Sequence, residues 1–358
     1  MLATLLALAA AIALSHATSA AAVPRSFYGV ASQTGLDAGD FDRMGKGKVG
    51  TLRAILSWPA TDPTNADGDY AWAGFDGIVA EAARNRIRVL PFIFGSPTWV
   101  ARGLDRRSCG ANCGVFAPRS RAARKAWRTF VGDAVARYGR GGEFWAENPT
   151  LPQRPIRAWQ IWNEQNSRTF YRPKPSPRGY ANLLADASKA IRSEDRRADV
   201  VLGGMAELAG SRKAVAGSKY LRKLYRQRGV KRDFDGVAPH PYGARLKSIE
   251  EQIDLIREEM VRARDRRADM WVTEIGWGSD RGGNPLNRGR RGQAKRLAQA
   301  YRYFRSNRGQ LNVQSVIWFS WMDSETSICS WCASSGLFET GLKPKPSWRA
   351  FTRLTGGR

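Results

Sequence analysis

The sequence predicts a single-domain (β/α)8 TIM barrel. Three observations carry this reading. Short runs rich in β-branched and aromatic residues alternate eight times with longer segments of helical period. The fourth, fifth and seventh runs are almost continuously apolar, as strands covered on both faces are. No Gly-rich phosphate loop follows any of them, which favours a closed barrel over a doubly wound sheet.

The first strand is placed at SFYGVA (26–31), and the segment behind it is short and Gly-rich. GTLRAIL (50–56) is the second. It is followed by AGFDGIVAEAARN, where Phe75, Ile78, Val79 and Ala82 recur at i, i+3, i+4 and i+7 on one helix face. IRVLPFIF (87–94) is the third, with a one-sided helical pattern over 118–138. Residues 139–155 mix Gly, Pro and Trp and read as an elaborated loop. IRAWQIW (156–162) and DVVLGGM (199–205) are the fourth and fifth strands, with a helix over 177–195 between them. DFDGVAPH (233–240), a helix over 246–265, DMWVTEI (269–275), a helix over 290–307 and VQSVIWFSW (313–321) complete the alternation. A chain of 358 residues with 42% hydrophobic content fills one such barrel and is too apolar for disorder.

The first 22 residues read as a secretory signal peptide. Leu2 to Leu14 is one apolar run, too short to span a bilayer, and Ala20-Ala21-Ala22 offers an A-x-A-like cleavage site, although the leading residues carry no Lys or Arg. The mature domain is then 23–358, exported and extracellular, with no stable membrane insertion. The four cysteines form two close pairs, Cys109 with Cys113 and Cys329 with Cys332. Outside the cell, two local disulfides are expected, with a four-Cys zinc site or cross-pairing as the alternatives.

The formal net charge is +26, from 58 Lys and Arg against 32 Asp and Glu. Three readings compete: a nucleic-acid surface, affinity for an anionic polysaccharide or cell wall, and Arg-rich solvated helix faces. The basic residues are spread along the chain, and dense runs such as VRARDRRAD (261–269) also carry acids. Export argues against nucleic acid. A monomer is expected.

In a barrel, chemistry sits at the C-terminal ends of the strands. There the sequence places Arg53 on the second strand, Asn163-Glu164 at the fourth, His240-Pro241-Tyr242 at the sixth, Glu274 at the seventh and Trp318 to Asp323 at the eighth. The fourth and seventh strands lie across the mouth, so Glu164 and Glu274 can converge. A carboxyl pair is what glycosidic-bond cleavage needs: one acid for the leaving oxygen and one nucleophile or base. Arg53 and Tyr242 suit the support of an ionised nucleophile, and Asn163 suits a sugar hydroxyl. Trp318 and Trp321 cannot both face inward on a regular strand. Trp321 is expected to be a sugar platform, Trp318 core, and Asp323 a hydroxyl ligand. His240 is the only histidine of the mature chain, and reads either as a core residue or as a neighbour of the pair.

Asn163-Glu164 in WNEQN, with Glu274 in VTEIGW, resembles the pattern of clan A of the retaining glycoside hydrolases. Across the whole mature chain it looks most like glycoside hydrolase family 39 and its bacterial endo-glycosidase relatives. HPY (240–242) and WFSWMD (318–323) are similar to that family's motifs on the sixth and eighth strands. The resemblance implies Glu164 as acid/base, Glu274 as nucleophile and Asn163 as the 2-hydroxyl contact. It also implies no metal or cofactor, and an oligo- or polysaccharide substrate; the positive charge admits an anionic one. Gln165 departs from it, since proline usually follows the acid/base there. A transglycosidase using the same intermediate and a non-catalytic carbohydrate-binding barrel are the alternatives. Two lesser motifs are set aside. DPTNADGDY (62–70) has Pro63 where a calcium loop needs a ligand, and GKGKVG (45–50) lacks P-loop spacing. CSWC lies outside any thioredoxin-like unit and reads as a staple at the cleft rim.

Overall fold

The computed structural model describes residues 23–64, 69–100, 114–208, 210–327 and 329–358. The segment read as a signal peptide, the Cys109 and Cys113 pair and the centre of the 62–70 stretch lie outside the described residues.

Eight parallel strands close into a barrel. They are β1 (Tyr28–Ala31), β2 (Thr51–Ser57), β3 (Arg88–Phe94), β4 (Ala158–Asn163), β5 (Asp199–Ala206), β6, β7 (Asp269–Ile275) and β8 (Val313–Phe319). β6 is split at Ala238 into Gly236–Val237 and Pro239–His240, and both pieces pair with β5. Each strand pairs with the next in the chain, and β1 pairs with β8 to close the ring. One helix of nine residues or more follows each strand: α1 (Ala38–Lys46), α2 (Ala73–Arg84), α3 (Arg121–Tyr138), α4 (Pro177–Glu194), α5 (Gly217–Tyr225), α6 (Leu246–Arg262), α7 (Gly289–Ser306) and α8 (Pro346–Thr355).

All eight strands predicted from sequence are present within a few residues of their expected ends. Three helices were not legible, α1, α5 and α8, because nine or ten residues hold too few turns to display a period. α1 also contains Gly39 and Gly45, and it starts from a capping box in which Asp37 and Asp40 each accept the other's backbone N–H. The expected loop before β4 contains a helical turn, Glu143–Glu147.

Strand alternation divides the core into two layers. On β4, Trp159 and Ile161 point outward into the large apolar layer beneath the helices, where Trp127 and Tyr180 also lie. Inside the barrel is a small plug of Ala31, Leu90, Ala158, Val201, Ala238 and Ile317. Two residues further along several of these strands, towards the C-terminal mouth, the inward positions become polar or aromatic: Gln160, His240 and Phe319. The plug therefore forms a dry floor beneath a polar chamber.

The loops after β7 and β8 are tied together at that mouth. Lys345 is 1% exposed and its Nζ donates to Asp323 Oδ1 at 2.6 Å, to Ser279 Oγ at 2.8 Å and to the Ser334 carbonyl at 3.1 Å. Burial pushes the Asp323 carboxyl up and the Lys345 ammonium down, and their mutual attraction opposes both shifts. Cys329 and Cys332 form a disulfide in the same loop. Lys345→Met leaves Asp323 buried without its counter-charge and is expected to cost about 3 kcal/mol. Adding Asp323→Asn to that variant recovers more than half of the loss. Urea unfolding of both variants checks this, and equal stability of single variant and native protein would refute the account of the pair.

Candidate active site

The local backbone sets the site up at β4. On a regular strand Asn163 and Glu164 would face opposite sides. Trp162 and Glu164 instead take positive φ angles, 72° and 40°. This costs conformational energy for residues other than glycine. The bends let both side chains reach the mouth. Trp162 is held in this conformation by complete burial and by its indole N–H donating to the Phe170 carbonyl at 2.7 Å.

Arg53 rises from β2 into the chamber and is 3% exposed. Its Nε donates to Gln160 Oε1 at 2.6 Å, Nη1 to Glu274 Oε1 at 2.8 Å and Nη2 to Asn163 Oδ1 at 2.7 Å. The guanidinium lies 4.0 Å over the centre of the Phe92 ring. Because the Asn163 oxygen is taken by Arg53, the amide has its N–H groups to offer a ligand. The second Glu274 oxygen, Oε2, accepts from the Tyr242 hydroxyl at 2.6 Å.

His240 is fully buried between the two carboxyl groups. Its Nδ1 is 3.1 Å from Glu164 Oε1 and 3.5 Å from Glu274 Oε2. Its Nε2 is 2.9 Å from Thr273 Oγ1, which itself accepts from Gln160 Nε2 at 3.1 Å. An ionised carboxylate only accepts, so the Nδ1 that faces the carboxyl pair is the nitrogen placed to donate to it.

The ligand atoms of Glu164, His240 and Glu274 all lie within 4.8 Å of one another. Such a trio can geometrically surround a cation, but the Glu274 oxygens are already engaged by Arg53 and Tyr242, and a guanidinium in the chamber repels one. Glu164 and Glu274 are partly open, at 13% and 12% side-chain exposure. Burial by itself pushes the Glu274 carboxyl up. His240, Arg53 and the Tyr242 hydrogen bond outweigh it and hold Glu274 below the usual carboxylate range. Burial, then the Glu274 charge, pushes the Tyr242 phenol far up, so it stays a donor. The pair therefore sets one carboxylate held ionised, Glu274, beside a second, partly open carboxyl group, Glu164.

The β5 glycines are spacers. A Cβ at Gly204 would lie 1.8 Å from His240 Nε2, and one at Gly203 would lie 2.1 Å from Gln165 Oε1. Gln165 is fully buried, and its Nε2 donates to the Gly203 carbonyl at 3.0 Å. A glutamine can fill the place of the usual proline because Gly203 leaves room for it.

The structure thus gathers Arg53, Asn163, Glu164, His240, Tyr242 and Glu274, and leaves out Trp321 and Asp323, while Trp318, expected in the core, lies there. Trp318 and Trp321 both face the outer core with no exposed surface. Their indoles donate to the Ser335 carbonyl at 3.0 Å and to Asp40 Oδ1 at 2.8 Å. Trp321 therefore presents no platform, and the inward, partly exposed ring is Phe319. Asp323 is engaged by Lys345 and by the Gly336 N–H at 2.8 Å, so its role is to hold the loops. Sequence reasoning missed Gln160, Thr273 and Trp331. Gln160, a polar residue inside an apolar strand, was the available signal. Trp331 packs on Tyr242 at 4.9 Å and on Phe319 at 6.2 Å, and nothing local announces that contact.

No protein-family model matches the chain, and no curated protein matches its sequence. Solved structures share its fold. A family 39 glycoside hydrolase from Bacteroides cellulosilyticus WH2 is 19% identical, with a TM-score of 0.65 over 93% of this chain. The chain spans 63% of that neighbour's length. A monomeric β-xylosidase from Caulobacter crescentus CB15 is 17% identical, with a TM-score of 0.63 over 92% of this chain and 68% of its own. An intracellular xylanase from Thermoanaerobacterium saccharolyticum, solved with xylotriose, is 14% identical, with a TM-score of 0.59 over 90% of this chain and 94% of its own.

Two outcomes follow from this packing. Gly204→Ala forces the His240 ring to move and is expected to cost about 2 kcal/mol in urea unfolding, and a loss of only a few tenths would contradict the spacer role. Glu274 has a folded pKa below its ordinary value of 4.5. Its stabilising contribution is therefore complete above about pH 4.5 and is lost as pH falls through the lower folded value. Melting temperatures followed from about pH 6 to about pH 3 are expected to fall less steeply for Glu274→Gln than for the native protein.

Proposed function

We propose that the protein is a retaining β-glycoside hydrolase acting on an oligo- or polysaccharide. The observation that carries this reading is the convergence of Glu164 and Glu274 at the ends of β4 and β7, with carboxyl oxygens within 4.8 Å. That spacing suits direct attack. An inverting enzyme separates its carboxyl groups by about 6.5–9.5 Å to admit a water.

In the first step a Glu274 oxygen bonds to the anomeric carbon while the bond to the leaving oxygen breaks. The departing electron pair takes the proton of Glu164. In the second step Glu164 removes a proton from water, the water oxygen bonds to the anomeric carbon and the Glu274 ester bond breaks. Arg53 and Tyr242 keep Glu274 ionised before attack and receive its charge again after release. The proton that His240 directs at both carboxyl groups keeps them turned towards one sugar ring. The Asn163 amide donors suit the 2-hydroxyl, a contact that strengthens in the transition state. The glycan-acting neighbours described above support a carbohydrate substrate.

Export belongs to the same proposal. Its support is the apolar run from Leu2 to Leu14 and the Cys329–Cys332 disulfide, which fits an oxidising compartment. Among the described residues no helix is long and apolar enough to cross a membrane.

Glu274→Gln is expected to lower kcat/KM on a nitrophenyl β-glycoside by about 10³-fold or more, and Glu164→Gln to do so on an oligosaccharide, whose leaving oxygen needs the proton. Near-native turnover in either variant would remove that residue from the assignment. Proton NMR of the first-formed sugar is expected to show the β-anomer; initial α-product would contradict direct attack by Glu274.

A further inference from the structure

Several arginines of this basic chain are matched by acids. Arg124 and Arg128 share Asp186, Arg137 meets Asp76 and Glu147, Arg192 meets Asp235, and the exposed Arg222 and Arg262 share Glu259. The segment between β7 and α7 gathers three that are not. There Arg281, Arg288 and Arg291 are exposed, and among the described residues no carboxylate lies within 4 Å of any of the three. With Ser279 and Asn287 they line an open hollow of about 890 Å³. Arg290, on the same wall, is held by Glu339. Asp280 is exposed and forms no ion pair with any of them.

The arginines stand on a braced frame. The Gly278 N–H donates to the Leu286 carbonyl at 3.0 Å, that of Arg288 to the Gly278 carbonyl at 2.9 Å, and that of Gly289 to the Asp280 carbonyl at 2.8 Å. Gly282 and Gly283 turn the chain with φ of 74° and 68°. The frame begins four residues after Glu274. It is tied to the neighbouring loop by Asn284 Nδ2 donating to Ser330 Oγ at 3.3 Å, beside the Trp331 ring that packs on Tyr242. The hollow is therefore on the same barrel face as the carboxyl pair.

We infer that the glycan substrate carries anionic groups, and that Arg281, Arg288 and Arg291 bind one of them on a sugar unit beyond the cleaved bond. This inference rests on the hydrolase function proposed above. Three unmatched guanidinium groups around one hollow repel each other until an anion is present. Their planar donor pairs fit a carboxylate or a sulfate ester. On that face they draw an acidic polymer towards the site and set its position along the cleft.

The test compares a carboxymethylated polysaccharide, a sulfated one and their neutral parent. The native protein is measured beside the triple variant Arg281→Gln, Arg288→Gln, Arg291→Gln. A second triple variant, Arg302→Gln, Arg305→Gln, Arg353→Gln, removes the same charge from the far ends of α7 and α8. The ratio of kcat/KM on the anionic polymer to that on its parent is expected to fall about tenfold in the first variant, mainly through KM, and to stay near native in the second. Raising salt from about 50 mM to about 500 mM is expected to shrink the native ratio. The larger of the carboxymethyl and sulfate effects identifies the group. An unchanged ratio in the first variant, or an equal fall in both, overturns the inference. If no polymer and no aryl glycoside is cleaved by the native protein, the hydrolase function fails instead. Retardation in a gel containing the carboxymethylated polymer then judges the arginines separately, and equal mobility of the native protein and the first variant overturns their role.

Discussion

The site depends on one buried cation. The Arg53 guanidinium uses its three nitrogens on Gln160 and Asn163 of β4 and on Glu274 of β7, across the barrel. A guanidinium is planar and stays charged, so these three bonds hold β2, β4 and β7 in one geometry. It keeps Glu274 ionised, turns the Asn163 amide and, through Gln160, fixes the Thr273–His240 chain. Burying such a charge is unfavourable by itself. It is sustained here by good hydrogen bonds and by the Phe92 ring beneath it. Much of the polar chamber is organised around satisfying this one group.

Two further features make room for that arrangement. Trp162 and Glu164 accept strained backbone so that adjacent residues can both enter the cleft. Gly203 and Gly204 give up side chains so that Gln165 and His240 can fit behind them. Strain at the mouth is tolerable because the layer beneath it is apolar, closely packed and independent of the chemistry. Loop bracing continues outward through Lys345 and Asp323 to Trp331, and from there to the arginine-lined hollow. Stability and positioning are in this way carried by different shells of the same barrel.

Much of this was legible in the chain. The eight strands announced themselves by β-branched runs, and the strand-end rule picked out Arg53, Asn163, Glu164, His240, Tyr242 and Glu274 without any coordinates. The failures share a cause. Trp321 was judged by alternation along an ideal strand, but its indole found a hydrogen-bond partner, Asp40, in the outer layer. Asp323 looked free because its partner, Lys345, is distant in sequence. The short helices α1, α5 and α8 hold too few turns to show a period.

The sequence by itself determined the barrel, the identity of the six polar residues at its mouth and the excess of positive charge. These follow from local pattern and from the alternating order of strands and helices, which a chain carries in one dimension. Tertiary structure decided which groups meet: that His240 lies between the carboxyl groups, that Phe319 rather than Trp321 faces the cleft, and that Arg281, Arg288 and Arg291 line one hollow. Those outcomes depend on bends, spacers and partners contributed by separate strands, and only the closed barrel brings them within bonding distance.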